Sequence, residues 1–210
     1  MLGGAGAVSA FGVVLAACGD DDKDSAATKP TKTAAPADGG MKEDLAVLNY
    51  ALTLEFLEAR FYKQVIASGI VKDPKVGSIA KKFGETEQEH VDALKATIKK
   101  LGGTPVKAPA TKFEETLDKG LEAVLNAAAD VENLGAAAYL GAAGRITNKE
   151  VLAAALAIHS VEARHAAALN QLLGRGFGGK GGLKGTLPDG AFAKGMDEAS
   201  VLAAVKPFLA

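Results

Sequence analysis

Two short motifs place a glutamate and a histidine three residues apart, Glu87-x-x-His90 and Glu162-x-x-His165. They use two of the three histidines in the chain. Residues three apart on a helix are neighbours on one face, so each motif directs a carboxylate and an imidazole to the same side. Carboxylate oxygens and neutral imidazole nitrogens are ligands for divalent metal ions. The motifs therefore indicate a metal site.

Four predicted helices carry these residues. Apolar residues recur at steps of three and four along four segments, which is the pattern of helices that bury one face in a bundle. A glutamate interrupts the stripe near the middle of each: Glu55 in the first, Glu132 in the third, and the motif glutamates in the second and fourth. Three of the predicted helices run from Lys42 to Ala67, from Asp73-Pro74 to Gly102-Gly103 and from Thr147 to Gly174. The remaining one, third in chain order, follows the connection from Thr104 to Lys112, and its stripe runs from Leu121 to Ala142.

Local residue choices predict the ends of these helices. Pro74 favours the first turn of the second helix, and the glycine pair after Leu101 ends it. Thr147 and Glu150 have the spacing of a capping box, in which the threonine caps the fourth helix. The inward stripes are predicted to end at Ile66, Leu101, Ala142 and Leu172.

The two halves of the helical region are related to each other. The segment around Glu55 and Tyr62 aligns with the segment around Glu132 and Tyr139, and the two Glu-x-x-His motifs align at a similar offset. This similarity predicts a duplicated helical hairpin. A bundle of two such hairpins with pseudo-twofold symmetry brings the polar residues of both halves to one central place.

Charge balance at that place requires cations. Four carboxylates that face a shared core repel one another and lose hydration, at a cost of several kcal/mol per ion. No lysine or arginine lies on any of the four stripes. Two divalent ions bring four positive charges, and neutral imidazoles complete their coordination. We therefore predict two divalent metal ions as cofactors. A shell rich in carboxylates and poor in histidines suits iron or manganese.

The sequence resembles the exported, desiccation-related branch of the ferritin-like proteins. The similarity lies in Leu48–Tyr62, Gly135–Gly141 and Ser160–His165, covers roughly residues 42–173, and extends to the tail from Met196 to Leu209. It implies an all-α, ferritin-like four-helix bundle with a dimetal carboxylate centre.

The resemblance also implies individual ligand roles. Glu87 and Glu162 would each bridge the two metal ions. The terminal ligands would be Glu55 with His90 on one ion and Glu132 with His165 on the other.

Four other polar residues are candidates for contacts around the ligands. Glu58 competes with Glu55, but it lies off the predicted stripe and aligns with Gly135, so we favour Glu55. His159 stands one turn before Glu162; it is a ligand, a hydrogen-bond partner of a ligand, or a solvated residue. Two tyrosines follow the terminal glutamates by seven residues. They are core residues with bonded hydroxyls, hydrogen-bond partners of the ligands, or a local electron relay. These are Tyr62 and Tyr139.

The composition restricts the classes of function. The chain has 210 residues, of which 48% are hydrophobic, enough for one domain with a real core. A formal net charge of −1 provides no basic field for nucleic acid. The single cysteine excludes an internal disulfide framework and a four-cysteine iron–sulfur or rubredoxin module. Any electron donor is therefore predicted to be another molecule.

The first forty residues have the pattern of an export signal and a tether. Residues 1–17 are uncharged and end in Leu15-Ala16-Ala17 before Cys18, which resembles a bacterial lipobox. Cys18 would then carry a lipid that anchors the protein on the extracytoplasmic face of the membrane. Either the general or the twin-arginine route would export it. The polar residues 18–41 are predicted to form a disordered linker.

The bundle is predicted to span residues 42–175, and residues 176–210 form a C-terminal extension. A glycine-rich connector precedes a short amphipathic helix over Asp197 to Leu209, with Val201, Leu202, Val205 and Leu209 on its apolar side. We expect this helix to dock on the bundle, and a homodimer contact is the alternative.

Two functions fit these features. The first is an extracytoplasmic dimetal oxidoreductase that reacts with dioxygen or peroxide, as the resemblance to ferroxidases, rubrerythrin-type peroxidases and manganese catalases implies. The second is a non-catalytic metal-binding or stress-protective bundle of the cell envelope.

Overall fold

The computed structural model describes residues 38–175 and 191–210, and within them the fold is all-α, as predicted. The four long helices lie at the four predicted segments, and one short helix is added between the second and the third. The first long helix begins at Asp38, so the predicted disordered linker is wrong for residues 38–41, which are helical. In chain order the helices are α1 (Asp38–Ser68), α2 (Pro74–Lys100), α3 (Glu114–Asp118), α4 (Leu121–Ala142), α5 (Lys149–Leu172) and α6 (Glu198–Val205), with 3-10 turns at Ala143–Arg145 and Lys206–Phe208.

Two helical hairpins form the bundle. Helix α1 packs along α2 and α4 along α5, while contacts of α1 with α4 and of α2 with α5 join the hairpins. Apolar residues from all four helices meet between them, and Leu52, Phe61, Ile98 and Val124 are almost fully buried. Burying one such side chain contributes about 1.5–3 kcal/mol, so this core holds the middle of the helices in fixed positions.

Side-chain caps begin the two helices that carry the Glu-x-x-His motifs. The Asp73 carboxylate accepts hydrogen bonds from the backbone N–H groups of Lys75 and Val76, next to Pro74 in the first turn. At α5 the predicted capping box is wrong, because Asn148 and not Thr147 is the N-cap and accepts from the backbone of residues 150 and 151.

The reason for that error is a contact made by Asp44. This carboxylate, fully buried in α1, accepts hydrogen bonds from the backbone N–H groups of Thr147 and Asn148 and from the Thr147 hydroxyl. The threonine side chain is therefore engaged by α1, and the neighbouring asparagine takes the capping position. Asp44 thereby ties α1 to the connection between α4 and α5.

The C-terminal segment docks on the bundle, as predicted. The Met196 N–H donates to the Ala137 carbonyl at 2.9 Å, and a Cβ at Gly141 would lie only 2.0 Å from the Met196 carbonyl oxygen. The last residues pair with the loop before α3 through an antiparallel bridge between Thr111 and Leu209. Gly141 therefore provides the close approach that the tail needs.

Three apolar residues are more exposed than predicted. Ile66 and Leu172 lie at the last turns of α1 and α5, where the bundle opens to solvent, and are 47% and 40% exposed. On α6, Val201 and Val205 are buried as predicted, but Leu202 is 37% exposed because it lies beside the contact line of this short helix.

The predicted export signal, the linker up to residue 37 and most of the glycine-rich connector lie outside the described residues. Lipid attachment at Cys18 stays a prediction, which mass spectrometry of the mature N-terminus would check. Among the helices that are described, none has the length and apolar character required to cross a membrane.

Candidate metal centre

The structure brings all six predicted ligands together at mid-height in the bundle. Each long helix contributes one glutamate, and α2 and α5 each add the histidine that lies one turn further along. The four glutamates have no exposed surface, and both histidines are buried. Apolar residues of the same helices, among them Leu52 of α1 and Leu94 of α2, are buried in the core and hold these helices in position. The six predicted ligands are Glu55, Glu87, His90, Glu132, Glu162 and His165.

One half of the centre converges on His90. Its Nδ1 atom lies 3.2 Å from Glu55 Oε2, 2.8 Å from Glu87 Oε2 and 3.2 Å from Glu162 Oε1. The four ligand atoms of this cluster lie within 4.8 Å of one another. Three separate helices provide the carboxylates, so this grouping is produced by tertiary packing and not by a local turn.

The other half converges on His165. Its Nδ1 atom lies 2.8 Å from Glu87 Oε1 and 3.2 Å from Glu132 Oε2, and Glu162 completes the cluster within the same 4.8 Å limit. Glu87 therefore presents one oxygen to each histidine. Glu87 and Glu162 are the two residues that both clusters share.

The donor set fits metal ions better than it fits a hydrogen-bonded network. One Nδ1 atom carries at most one proton, yet each faces several carboxylate oxygens. Among the described residues, Glu87 Oε1 and both Glu162 oxygens are buried without a hydrogen bond, and the ion pairs of the four ligand glutamates involve only histidine. Buried carboxylate oxygens without donors cost free energy unless a cation neutralises them.

Without metal, burial favours the protonated form of several carboxyl groups in this centre. Burial raises the pKa of Glu162 well above its ordinary value, and the Glu132 and Glu55 carboxylates raise it further. Burial raises the pKa of Glu55 to about 7, although its hydrogen bond with His90 lowers it in part. For Glu87 the contacts with the imidazoles of His165 and His90 outweigh burial and lower the pKa to about 2.

Both histidines shift in the direction that favours their charged form. Burial lowers the pKa of His90, but contacts with the surrounding carboxylates outweigh it and raise the pKa to about 12. The same competition raises the pKa of His165 to about 9. Because metal ligands must be deprotonated, cations that bind here must displace these protons.

The two tyrosines hydrogen-bond to the terminal glutamates. The Tyr139 hydroxyl donates to Glu55 Oε1 at 2.5 Å, and the Tyr62 hydroxyl donates to Glu132 Oε1. Each tyrosine reaches a glutamate of the opposite hairpin, which leaves the Oε2 atom of that glutamate directed at the nearby histidine. The tyrosine rings are also buried in the core, so the predicted core role and the predicted hydrogen bonds to the ligands are both present. The electron-relay role stays a prediction.

Removing either hydroxyl is expected to weaken metal binding without abolishing it. Tyr139→Phe leaves Glu55 Oε1 without its donor, and the loss of such an orienting contact lowers metal affinity by about 10–100-fold. The same range applies to Tyr62→Phe. A competition titration with a chromophoric chelator measures the affinity.

The matched control for this titration is Tyr50→Phe. The Tyr50 hydroxyl is buried but makes no hydrogen bond among the described residues, so its loss should leave metal affinity unchanged. Equal affinities for wild type and both site variants would show that the tyrosines do not orient the ligands.

Glu58 was predicted to lie off the inward face, and this prediction is wrong. Its side chain is 2% exposed and points towards the space left by Gly135, where an added Cβ would lie 3.0 Å from Glu58 Oε1 and 3.1 Å from Glu162 Oε2. Helix α1 contacts both α2 and α4, so its buried arc is wider than one stripe. Glu58 nevertheless stays outside both four-residue clusters, unlike Glu55.

His159 also lies outside the clusters. Its Nδ1 atom is 2.8 Å from the Ala136 carbonyl oxygen, so it joins α5 to α4 beside the centre. Phe83, by contrast, stacks on the His165 imidazole with ring centroids 3.8 Å apart. Its position on the apolar stripe of α2, one turn before Glu87, could have indicated this contact.

The comparisons with known proteins agree with this architecture. The family described as the ferritin-like domain matches residues 43–175, which include all six predicted ligands. A solved structure described as a ferritin-like, diiron-carboxylate protein from Bacillus anthracis str. Ames is 22% identical, aligns over 65% of this chain and 99% of that chain, and has a TM-score of 0.57. At this identity the likeness shows the fold. No curated protein matches the chain significantly.

Proposed function

Because this chain belongs to the ferritin-like domain family, we propose that it holds two iron or manganese ions and uses them in oxidoreductase chemistry on dioxygen or peroxide. One observation carries the proposal: two buried Glu/His clusters share two of their glutamates, so that Glu87 presents a different oxygen to each cluster. Two adjacent ions with shared carboxylates are what this arrangement would hold.

In this proposal one terminal glutamate and one histidine would hold each ion, and the two glutamates that both clusters contain would be ligands to both ions. Carboxylate-rich sites with few imidazoles suit Fe(II) and Mn(II). When bound, two adjacent redox-active ions can exchange electrons with an O–O unit. The proposed ligands are Glu55 and His90 for one ion, Glu132 and His165 for the other, and Glu87 and Glu162 as bridges.

The protein itself contributes orientation and a restricted environment. Tyr62 and Tyr139 hold the outer oxygens of the terminal glutamates, and their hydroxyl protons lie next to the centre. The buried apolar residues around the site limit access of water, which strengthens the electrostatic interactions inside it. A single cysteine cannot build a rubredoxin-type or iron–sulfur module, so we propose an external electron donor.

A combined metal and turnover measurement tests this function. The full chain, purified without added metal, is expected to contain about two ions of iron or manganese per chain and to oxidise Fe(II) or consume peroxide over multiple turnovers. Bound metal without turnover would support the non-catalytic envelope protein instead. A chain that binds no metal at physiological pH would exclude both functions.

A further inference from the structure

A small cavity lies at the end of the bundle where α1 and α5 finish and α2 and α4 begin. Its walls include Val76 and Ala80 of α2, Ala128 of α4 and Leu169 of α5, and Tyr62 of α1 lies at its inner side. Every lining residue except Tyr62 is aliphatic or a phenylalanine. The cavity is therefore apolar, although the middle of the bundle is occupied by the polar Glu/His centre.

Its size and polarity select the kind of molecule that fits. The cavity volume is about 20 Å³, and on this measure one water molecule needs roughly 10–15 Å³. A water molecule also needs two or more polar partners. The Tyr62 hydroxyl, the one polar side-chain group in the wall, already donates to Glu132. A small apolar molecule is thus favoured over water.

The cavity lies close to one half of the metal centre. Ala128 is one helical turn before Glu132, and Leu169 is one turn after His165, so the inner wall is about 6 Å along the helix axes from these ligands. Tyr62 belongs to both the cavity wall and the hydrogen-bond network of the centre. The cavity therefore faces the Glu132–His165 side.

We propose that this cavity binds a small apolar gas molecule, and that dioxygen uses it to reach the Glu132–His165 side of the centre. The gas-binding step depends only on the shape and polarity of the cavity. The delivery step rests on the proposed function, because it requires a centre that reacts with dioxygen.

The internal repeat provides a matched control for testing the cavity. Ala80 lies in the wall, and the residue at the same place in the other half is Ala155, by the offset that relates Glu87 to Glu162. Both alanines are 8% exposed. Leucine at position 80 fills the cavity, whereas leucine at position 155 adds the same volume at the opposite end of the bundle.

Xenon is a direct probe of the cavity, because it is apolar and binds dry spaces of this kind. In xenon-pressurised crystals of the metal-free full chain, we expect a xenon atom in the wild-type cavity and in Ala155→Leu, and none in Ala80→Leu. Should Ala80→Leu fail to fold, Ala128→Val with Ala51→Val as its control makes the same comparison. No xenon in the wild-type cavity, or its retention in the folded filled variant, would overturn gas binding.

Turnover of the metal-loaded chain tests whether dioxygen reaches the centre through the cavity. For Fe(II) oxidation by dioxygen, Ala80→Leu is expected to raise the half-saturating dioxygen concentration roughly fivefold, whereas Ala155→Leu leaves it unchanged. Peroxide is polar and gains nothing from an apolar route, so its rate should not differ between the variants. Equal dioxygen dependence in all three proteins would overturn delivery. An inactive wild type that still binds xenon would refute the proposed function and leave gas binding established.

Discussion

Glu87→Ala is expected to reduce bound metal from about two ions per chain to nearly none. This carboxylate presents Oε2 to the His90 cluster and Oε1 to the His165 cluster, so its removal takes a ligand from both. It also leaves fewer negative charges to hold two cations that repel each other at short range. Elemental analysis of the purified variant by plasma mass spectrometry measures the metal content.

Two other variants are measured alongside Glu87→Ala: one is a control outside the centre, and the other removes a ligand of a single cluster. Glu89→Ala removes a solvent-exposed carboxylate from the same helix, two residues away, and should leave the metal content unchanged. Glu55→Ala removes a ligand from one cluster, so we expect a larger loss at one ion than at the other. If Glu87→Ala kept both ions, Glu87 would not be a shared ligand.

Metal removal at pH 7.5 is expected to lower the melting temperature by on the order of 10 °C. Ligand at about 1,000 times its dissociation constant stabilises a folded protein by about 4 kcal/mol, and 1 kcal/mol shifts the melting temperature of a chain this long by about 2–4 °C. Thermal unfolding followed by circular dichroism, with and without a chelator, gives the shift. An unchanged melting temperature would show that the centre gains no stability from cations.

The pH dependence of the metal-free chain follows from the raised pKa values. Burial raises the pKa of Glu55 from 4.5 to about 7, so folding takes up a proton between these values. Its contribution to stability is complete below about pH 4.5 and is lost as the pH rises through 7. Glu58 and Glu162 shift in the same direction, and the raised pKa values of both histidines extend the loss above pH 7.

Glu87 shifts the opposite way but acts in another pH range. Its pKa is lowered to about 2, so its contribution is present above pH 4.5 and is lost only as the pH falls towards 2. The metal-free chain should therefore lose stability between pH 5 and 8, while metal affinity increases because fewer protons compete. The destabilisation caused by the chelator should grow over the same interval. A chelator effect that is constant with pH would contradict this coupling.

Glu162→Gln separates two effects on stability: the free-energy cost of burying the Glu162 carboxylate, and the loss of that carboxylate as a metal ligand. Without metal, both Glu162 oxygens are buried without hydrogen bonds, so a neutral amide is expected to raise the melting temperature of the chelated protein. In the presence of metal the same variant should bind less and melt lower than wild type. Destabilisation in both states would show that Glu162 has a structural role apart from metal.

Local periodicity was sufficient to identify the four long helices and the central inward residues of each. A polar residue on an apolar stripe must lie in the interior wherever the helix packs, so Glu55, Glu87, Glu132 and Glu162 could be assigned to the core without coordinates. The repeat of the Glu-x-x-His motif then required both halves to meet at one place. These inferences use only relations within a helix and between two copies of one hairpin.

The features that sequence analysis missed depend on contacts between helices. The burial of Glu58 follows from the space at Gly135 and from the two neighbours of α1, and the α5 N-cap follows from the engagement of Thr147 by Asp44. Both residue pairs are far apart in the chain, so no local pattern contains them.

The sequence by itself determined that the four stripe glutamates and the two motif histidines share the inward faces of their helices, because helical spacing places them there before any packing occurs. Only the tertiary structure decided which carboxylate oxygen faces which histidine, which tyrosine holds which glutamate, and where a cavity remains beside Ala80 and Ala128. These properties depend on the separation and rotation of packed helices to within about 1 Å, and that precision comes from the complementary shapes of side chains on different helices.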